Sequence, residues 1–272
     1  MLGQDMTALV CPRHEVVPAD LPEIDITRPG APALCIASTQ PDVVIHAAAF
    51  TAVDECERQP DVAFRVNGEG TRNVALACRE AGLPMLYIST DYVFDGEKST
   101  PYVEDDEPNP LGIYGRSKLE GEKHVRELLE AYWIVRTSWL FGPCGKNFVR
   151  TILERARAGT ALRVVDDQIG APTYTVHLAA ALEEIILGGE YGIYHATNQG
   201  FCSWFEFART IVREAGMDES LVAPIPTSAS DRPAPRPRNS RLADTHLRQQ
   251  GLSLLPPWQE GLRCYLLREG GV

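Results

Sequence analysis

Tyr114 and Lys118 stand four residues apart in the run Tyr-Gly-Arg-Ser-Lys. On a helix that spacing puts both side chains on one face. A free tyrosine ionises near pH 10, too high to exchange protons readily at neutral pH. A nearby ammonium favours the phenolate and brings that value down. A phenol tuned in this way does general acid or base work on an alcohol or a ketone. The same spacing also fits an incidental pair on a surface helix, so it needs support from elsewhere.

Support comes from "YISTDYVFDG", which puts Ser89 and Thr90 at the end of an apolar run upstream of Tyr114. In open α/β sheets, ligands bind outside the carboxyl ends of the strands. A hydroxyl there donates to the same substrate oxygen that Tyr114 would protonate. A nucleotide end is also visible. Asp20 closes the β-rich run "HEVVPAD", at about the offset where an acid receives a ribose 2′-hydroxyl. Its charge disfavours the 2′-phosphate of NADP, so NADH is expected to serve at least as well as NADPH. Asp25 of "IDIT" is placed to accept from an adenine amine. The small residues of "HAAA", Ala47 and Ala49 among them, let a flat cofactor approach the backbone.

The elements that must position these residues alternate. Leu2, Met6, Leu9 and Val10 recur at helical spacing, with Gly3 suited to a tight backbone approach. "PDVVIHAAA" (41–49), "PMLYISTDYVF" (84–94) and "YWIVRTSWLFG" (132–142) read as buried parallel strands. Residues 61–83 read as one long helix ending at Gly82, and 114–129 as an amphipathic helix. Strand–helix alternation implies a doubly wound, Rossmann-like parallel sheet. The pattern loosens after about residue 145, where a smaller α/β substrate lobe is expected. The division is 1–145 for dinucleotide binding and 146–272 for substrate, with about 172–199 returning to the first domain. Residues 224–242, rich in Pro, Ser and Arg, read as a long loop of a kind that is either functional or disordered.

Composition narrows the classes. A net charge of −11, from 26 basic and 37 acidic residues, argues against nucleic-acid binding. No apolar run is long enough to span a membrane, and no signal peptide is visible. Seven scattered cysteines (Cys11, Cys35, Cys56, Cys78, Cys144, Cys202 and Cys264) form no CxxC pair. They read as buried, reduced thiols of a cytoplasmic protein. No metal-ligand spacing stands out.

With these residues in view, the chain resembles the extended short-chain dehydrogenase/reductases, and within them the dTDP-4-dehydrorhamnose reductases. The likeness runs nearly end to end through "DIT", "AAAFTAVDECE", "VNGEGTRNVA", "ISTDYVFDG", "YGRSKLEGE", "VRTSWLFG", "DDQIGAPTYT" and "PRPRNSRL". Sugar-nucleotide dehydratases of the superfamily carry Asp-Glu after the threonine, where this chain has Asp91-Tyr92. The resemblance implies that NADPH or NADH delivers hydride to C4 of a nucleotide-linked keto-sugar. It makes Tyr114 the proton donor, Thr90 a hydrogen-bond donor to the C4 oxygen, and Lys118 the holder of the nicotinamide ribose. It puts Asp25, Ile26, Ala49, Phe50, Thr51 and Ile88 on the cofactor. It puts Val53, Asp91, Tyr92 and Trp139 on the sugar, with Arg236 and Arg238 over the diphosphate. Some relatives use a metal such as Mg²⁺ at a subunit contact, which no motif here locates. A monomer or homodimer is expected.

One departure stands out. Of the family's first strand and G-x-x-G-x-x-G turn, only the last glycine is matched, by Gly3. Those glycines let the pyrophosphate reach backbone N–H groups at a helix start. The expectation is that the natural start lies upstream of Met1, and that the chain as written binds cofactor poorly. Two other readings stay open. One is a non-catalytic binding subunit, like the relative that associates with methionine adenosyltransferase. The other is a reductase of a different nucleotide-linked 4-keto-sugar.

Overall fold

The computed structural model describes residues 1–10 and 12–268; the expectation for Cys11 lies outside them. The first half carries α1 (Leu2–Val10), α2 (Ala31–Thr39), β1 (Val44–His46), α3 (Val53–Arg58), α4 (Pro60–Ala63), α5 (Thr71–Ala81), β2 (Met85–Thr90), α6 (Ile113–Leu128) and β3 (Tyr132–Thr137). The second carries β4 (Leu140–Phe141), α7 (Phe148–Arg157), β5 (Leu162–Val165), β6 (Ile169–Gly170), β7 (Thr173–Tyr174), α8 (Thr175–Gly188), β8 (Gly192–His195), β9 (Cys202–Ser203), α9 (Trp204–Glu214), β10 (Val222–Ile225), α10 (Thr245–Gln249) and α11 (Trp258–Arg268).

The main sheet is parallel throughout, in the order β1-β2-β3-β8. All six residues of β2 are buried, as a strand covered on both faces requires. Its side chains alternate between two clusters. Leu86 and Ile88 join Trp133 and Val135 under α1 and α8, while Met85 and Tyr87 join Ile134 under α5 and α6. Leu2 and Met6, one helical turn apart, pack α1 against Leu178 and Leu182 of α8. The second lobe is a parallel β5–β10 pair, with a core from α7, α9 and α11 that includes Val149, Phe207, Ile211, Leu262 and Tyr265. Asn147 caps α7, and Ser203 with Glu206 closes a capping box on α9.

Four local expectations are corrected. Residues 14–20, expected as a strand closing at Asp20, have no strand pairing; β1 is hydrogen-bonded on one side, to β2. The β-rich pattern therefore finds no ladder, and a strand does not persist without one. The 84–94 strand stops at Thr90, whose hydroxyl accepts from Tyr92 N–H and starts a short turn over Asp91–Val93. Residues 61–83 are not one regular helix: a π-helical stretch, Phe64–Gly70, separates α4 from α5. The 132–142 strand breaks at Trp139, whose φ of +48° is left-handed. The six described cysteines are free, but Cys35, Cys144 and Cys264 are only half-buried. Among the described residues no helix is long and apolar enough to cross a membrane, and no cluster of His, Cys, Asp and Glu has the makings of a metal site.

Candidate active site

The carboxyl end of β2 and the first turns of α6 meet because two glycines let them. A Cβ on Gly115 would stand 2.1 Å from the Tyr92 carbonyl, and one on Gly121 would stand 2.4 Å from the Tyr87 hydroxyl. This close approach brings Thr90, Asp91, Tyr92, Tyr114 and Lys118 together. The Tyr114 phenol faces the Thr90 hydroxyl. Thr90 in turn donates to Asp91 Oδ1 at 3.0 Å. The Tyr92 ring meets Tyr114 edge-on, with centroids 5.4 Å apart.

Lys118 is 2% exposed. Its Nζ donates to the Ile88 carbonyl at 2.8 Å and lies 4.1 Å from the centre of the Tyr87 ring. Burial brings the ammonium down to about 7, and the Glu122 carboxylate works against that fall. Tyr114 differs from its expectation. Burial holds its phenol above its ordinary value, the Thr90 hydroxyl pulling the other way and Asp91 pushing it further up. Both residues lie on α6, but Lys118 spends a hydrogen bond on Ile88, and the desolvation of Tyr114 dominates. A neutral phenol suits an acid that protonates a forming alkoxide. Asp91 is 2% exposed and its Oδ2 makes no hydrogen bond. Burial raises its carboxyl to about 7, against the Ser240 and Thr90 hydroxyls.

Of the expected sugar-side residues, Asp91 and Tyr92 belong to this centre. Val53 opens α3, whose Cys56 faces Tyr114. Trp139 stacks on Trp204 at 3.6 Å and packs over Gly170 beside Ser240. Of the two arginines, Arg236 lies on this side: it donates to Asp54 Oδ1 at 2.9 Å, and its charge reaches Tyr92. Arg238 is exposed, and its carbonyl accepts from Ile169 N–H at 2.8 Å. Asn239 fastens the same strap to the Lys98 and Thr100 carbonyls, at 2.5 and 2.8 Å.

The expected cofactor residues divide into two groups. Ala47, Ala49, Phe50 and Thr51 form the loop after β1. Asn67, a residue not singled out from the sequence, clamps that loop by accepting from Phe50 N–H at 2.7 Å and donating to Phe50 O at 3.1 Å. Its signal was there in "VNGEG", an asparagine inside an otherwise helical stretch. Ile26 packs against Gly70, and its carbonyl accepts from Asn73; Asp25 is held low by its bonds from Thr27. Gly3 and Asp20 stand apart from this clamp. A Cβ on Gly3 would meet nothing within 4 Å, so the tight approach expected of it is not made by protein atoms. Asp20 is exposed, with Oδ1 accepting from Leu21 N–H at 2.8 Å. The donor set fits a nicotinamide cofactor: an ammonium has three N–H donors, and the bond to Ile88 leaves two of the Lys118 donors for ribose hydroxyls beside the small-residue loop.

The sequence profile of the RmlD substrate binding domain family matches residues 1–269. A dTDP-4-dehydrorhamnose reductase of Streptomyces griseus is 42% identical over 96% of this chain and 88% of the relative. A Streptomyces antibioticus protein named probable dTDP-4,6-dihydroxy-2-methyloxan-3-one 4-ketoreductase is 39% identical over 97% of this chain and 90% of the relative. The crystal structure of dTDP-4-dehydrorhamnose reductase from Bacillus anthracis in complex with NADP superposes with a TM-score of 0.94 at 39% identity, covering 98% of this chain and 95% of that one.

Proposed function

The chain belongs to the RmlD substrate binding domain family, among relatives named dTDP-4-dehydrorhamnose reductase, and on that premise we propose that it reduces the C4 ketone of dTDP-4-dehydro-L-rhamnose to give dTDP-L-rhamnose. The observation that carries this reading is the meeting of the Thr90 hydroxyl, the neutral Tyr114 phenol and the buried Lys118 ammonium at the carboxyl end of β2. NADPH or NADH, when bound, supplies the hydride. Lys118, Tyr114, the 47–51 loop with Ile88, and Asp25 with Ile26 would hold it, with Gly3 and Asp20 toward its diphosphate and adenosine end. With the substrate bound, Thr90 would turn its one hydroxyl proton from Asp91 Oδ1 to the ketone oxygen beside Tyr114, and the Tyr114 proton moves to that oxygen as charge develops there. Asp91, Tyr92, Val53 and Trp139 shape the sugar pocket, with Arg236 and Arg238 on the strap toward the diphosphate.

Retention of Thr90, Tyr114 and Lys118 together favours an enzyme over a non-catalytic subunit. The likeness to the Streptomyces antibioticus 4-ketoreductase gives a second reading, in which the same chemistry serves another nucleotide-linked keto-sugar. The reaction is assigned to the cytoplasm, where the free thiols stay reduced, and to a monomer or homodimer. The test is Tyr114→Phe. It should lower kcat at least ~100-fold, the scale of a lost general acid, with an unchanged circular-dichroism spectrum. A variant keeping most of the wild-type rate would remove Tyr114 from its role.

A further inference from the structure

Behind Lys118, one turn further along α6, lies a polar cluster that the reaction as described does not use. Glu122 and Arg136 are each 1% exposed. Arg136 donates from Nη2 to Glu122 Oε2 at 2.8 Å and from Nε to Oε1 at 3.0 Å. Ser89, the residue before Thr90, donates to the same Oε1 at 2.5 Å. Arg136 also reaches the Glu104 carbonyl at 3.4 Å and stands over the Phe94 ring at 5.1 Å. Two strands and one helix therefore fix the orientation of a single buried carboxylate. A buried ion pair is a poor source of stability for its cost in desolvation, so its presence beside a reactive lysine asks for another reason.

We propose that Glu122 is a positioning residue of the reductase: clamped by Arg136 and Ser89, it sets a fixed negative charge one helical turn from Lys118 and keeps that lysine an ammonium in its buried site. This rests on the reading of Tyr114 and Lys118 as the reacting pair. The groups facing Lys118 leave Glu122 as the source of that charge. From its own helix they are Tyr114 and Glu122; from β1, His46; from β2, Tyr87. His46 is buried and held neutral, down to about 3, by desolvation and by the Lys118 charge. Tyr87 is pushed well above its ordinary value by burial and stays a phenol. Arg136 of β3 is itself spent on Glu122. The Glu122 carboxylate is the influence that opposes burial on Lys118, whose value of about 7 lies close to the pH at which the reaction must run.

The chain has four lysines, Lys98, Lys118, Lys123 and Lys146, so Lys118 can be titrated directly by ¹⁵Nζ NMR of the lysine-labelled full chain, its signal assigned by loss in Lys118→Arg. The expected midpoint falls by about one unit in Glu122→Gln and returns most of the way in Glu122→Asp, as loss and recovery of a charge at this range require. The alkaline limb of kcat should move with it, giving ~10-fold less turnover at pH 8 and less than ~3-fold at pH 5.5. If Glu122→Gln does not fold, Glu122→Gln with Arg136→Met removes both charges and should lower the midpoint in the same direction. An unmoved midpoint in whichever variant folds overturns the proposal, as does a moved midpoint with a kcat profile of unchanged shape. Wild-type protein that titrates as expected but reduces no keto-sugar refutes the reductase reading instead.

Discussion

At the scale of single residues, the site runs on burial. Tyr114, Asp91 and Lys118 are each displaced from their ordinary values by desolvation before any neighbour acts. For Asp91 this has a thermodynamic consequence of definite sign. Its carboxyl is raised in the folded chain to about 7 from an ordinary value of 3.8. The folded state then binds the extra proton between those values, so the stability associated with Asp91 is present below about pH 4 and lost as pH rises through about 7. At 1.36 kcal/mol per unit the whole effect is about 4 kcal/mol. Asp91→Asn removes the titration. Its melting temperature should match wild type near pH 4 and exceed it increasingly up to pH 8; a difference independent of pH would contradict the assigned burial cost. The chemical types at the site were legible in the sequence. Their charge states were not, because i, i+4 spacing fixes a shared face and says nothing of solvent access or of the Ile88 carbonyl that accepts a hydrogen bond from Lys118.

At the scale of elements, what positions the site is the contact of α6 with the turn after β2. Gly115 makes it possible, since any Cβ there meets the Tyr92 backbone, which has little room to shift. Gly115→Ala should therefore move Tyr114 away from Thr90, lowering kcat/KM at least ~10-fold at a stability cost of about 1–3 kcal/mol, the range for overpacking. Wild-type kinetics in that variant would show that the helix does not set the Tyr114–Thr90 distance. The apolar runs of β2 and β3 and the periodicity of α6 were readable because each carries its own pattern. Four features were not. Residues 14–20 have strand composition but no neighbour to pair with. The left-handed turn at Trp139 is set by tertiary packing, with its indole stacked on Trp204 from another element. Arg136 sits in a buried strand where a charge reads as an error, and its partner Glu122 lies on a different element. The clamp of Asn67 on Phe50 is of the same kind: a helical asparagine whose bonds are made 17 residues away.

At the scale of the molecule, the proposed site draws on stretches far apart in the chain. The main sheet supplies the reacting residues, while the 224–242 strap and the loops around Trp139 come from the chain after them. The strap is tied at Asp54, Lys98, Thr100 and Ile169. The most direct measurement is incubation of the purified chain with dTDP-4-dehydro-L-rhamnose and either NADPH or NADH, following cofactor oxidation and identifying the sugar product by NMR. The expected result is stoichiometric oxidation with dTDP-L-rhamnose as the product. No oxidation with either cofactor, or reduction confined to a different keto-sugar, would contradict it.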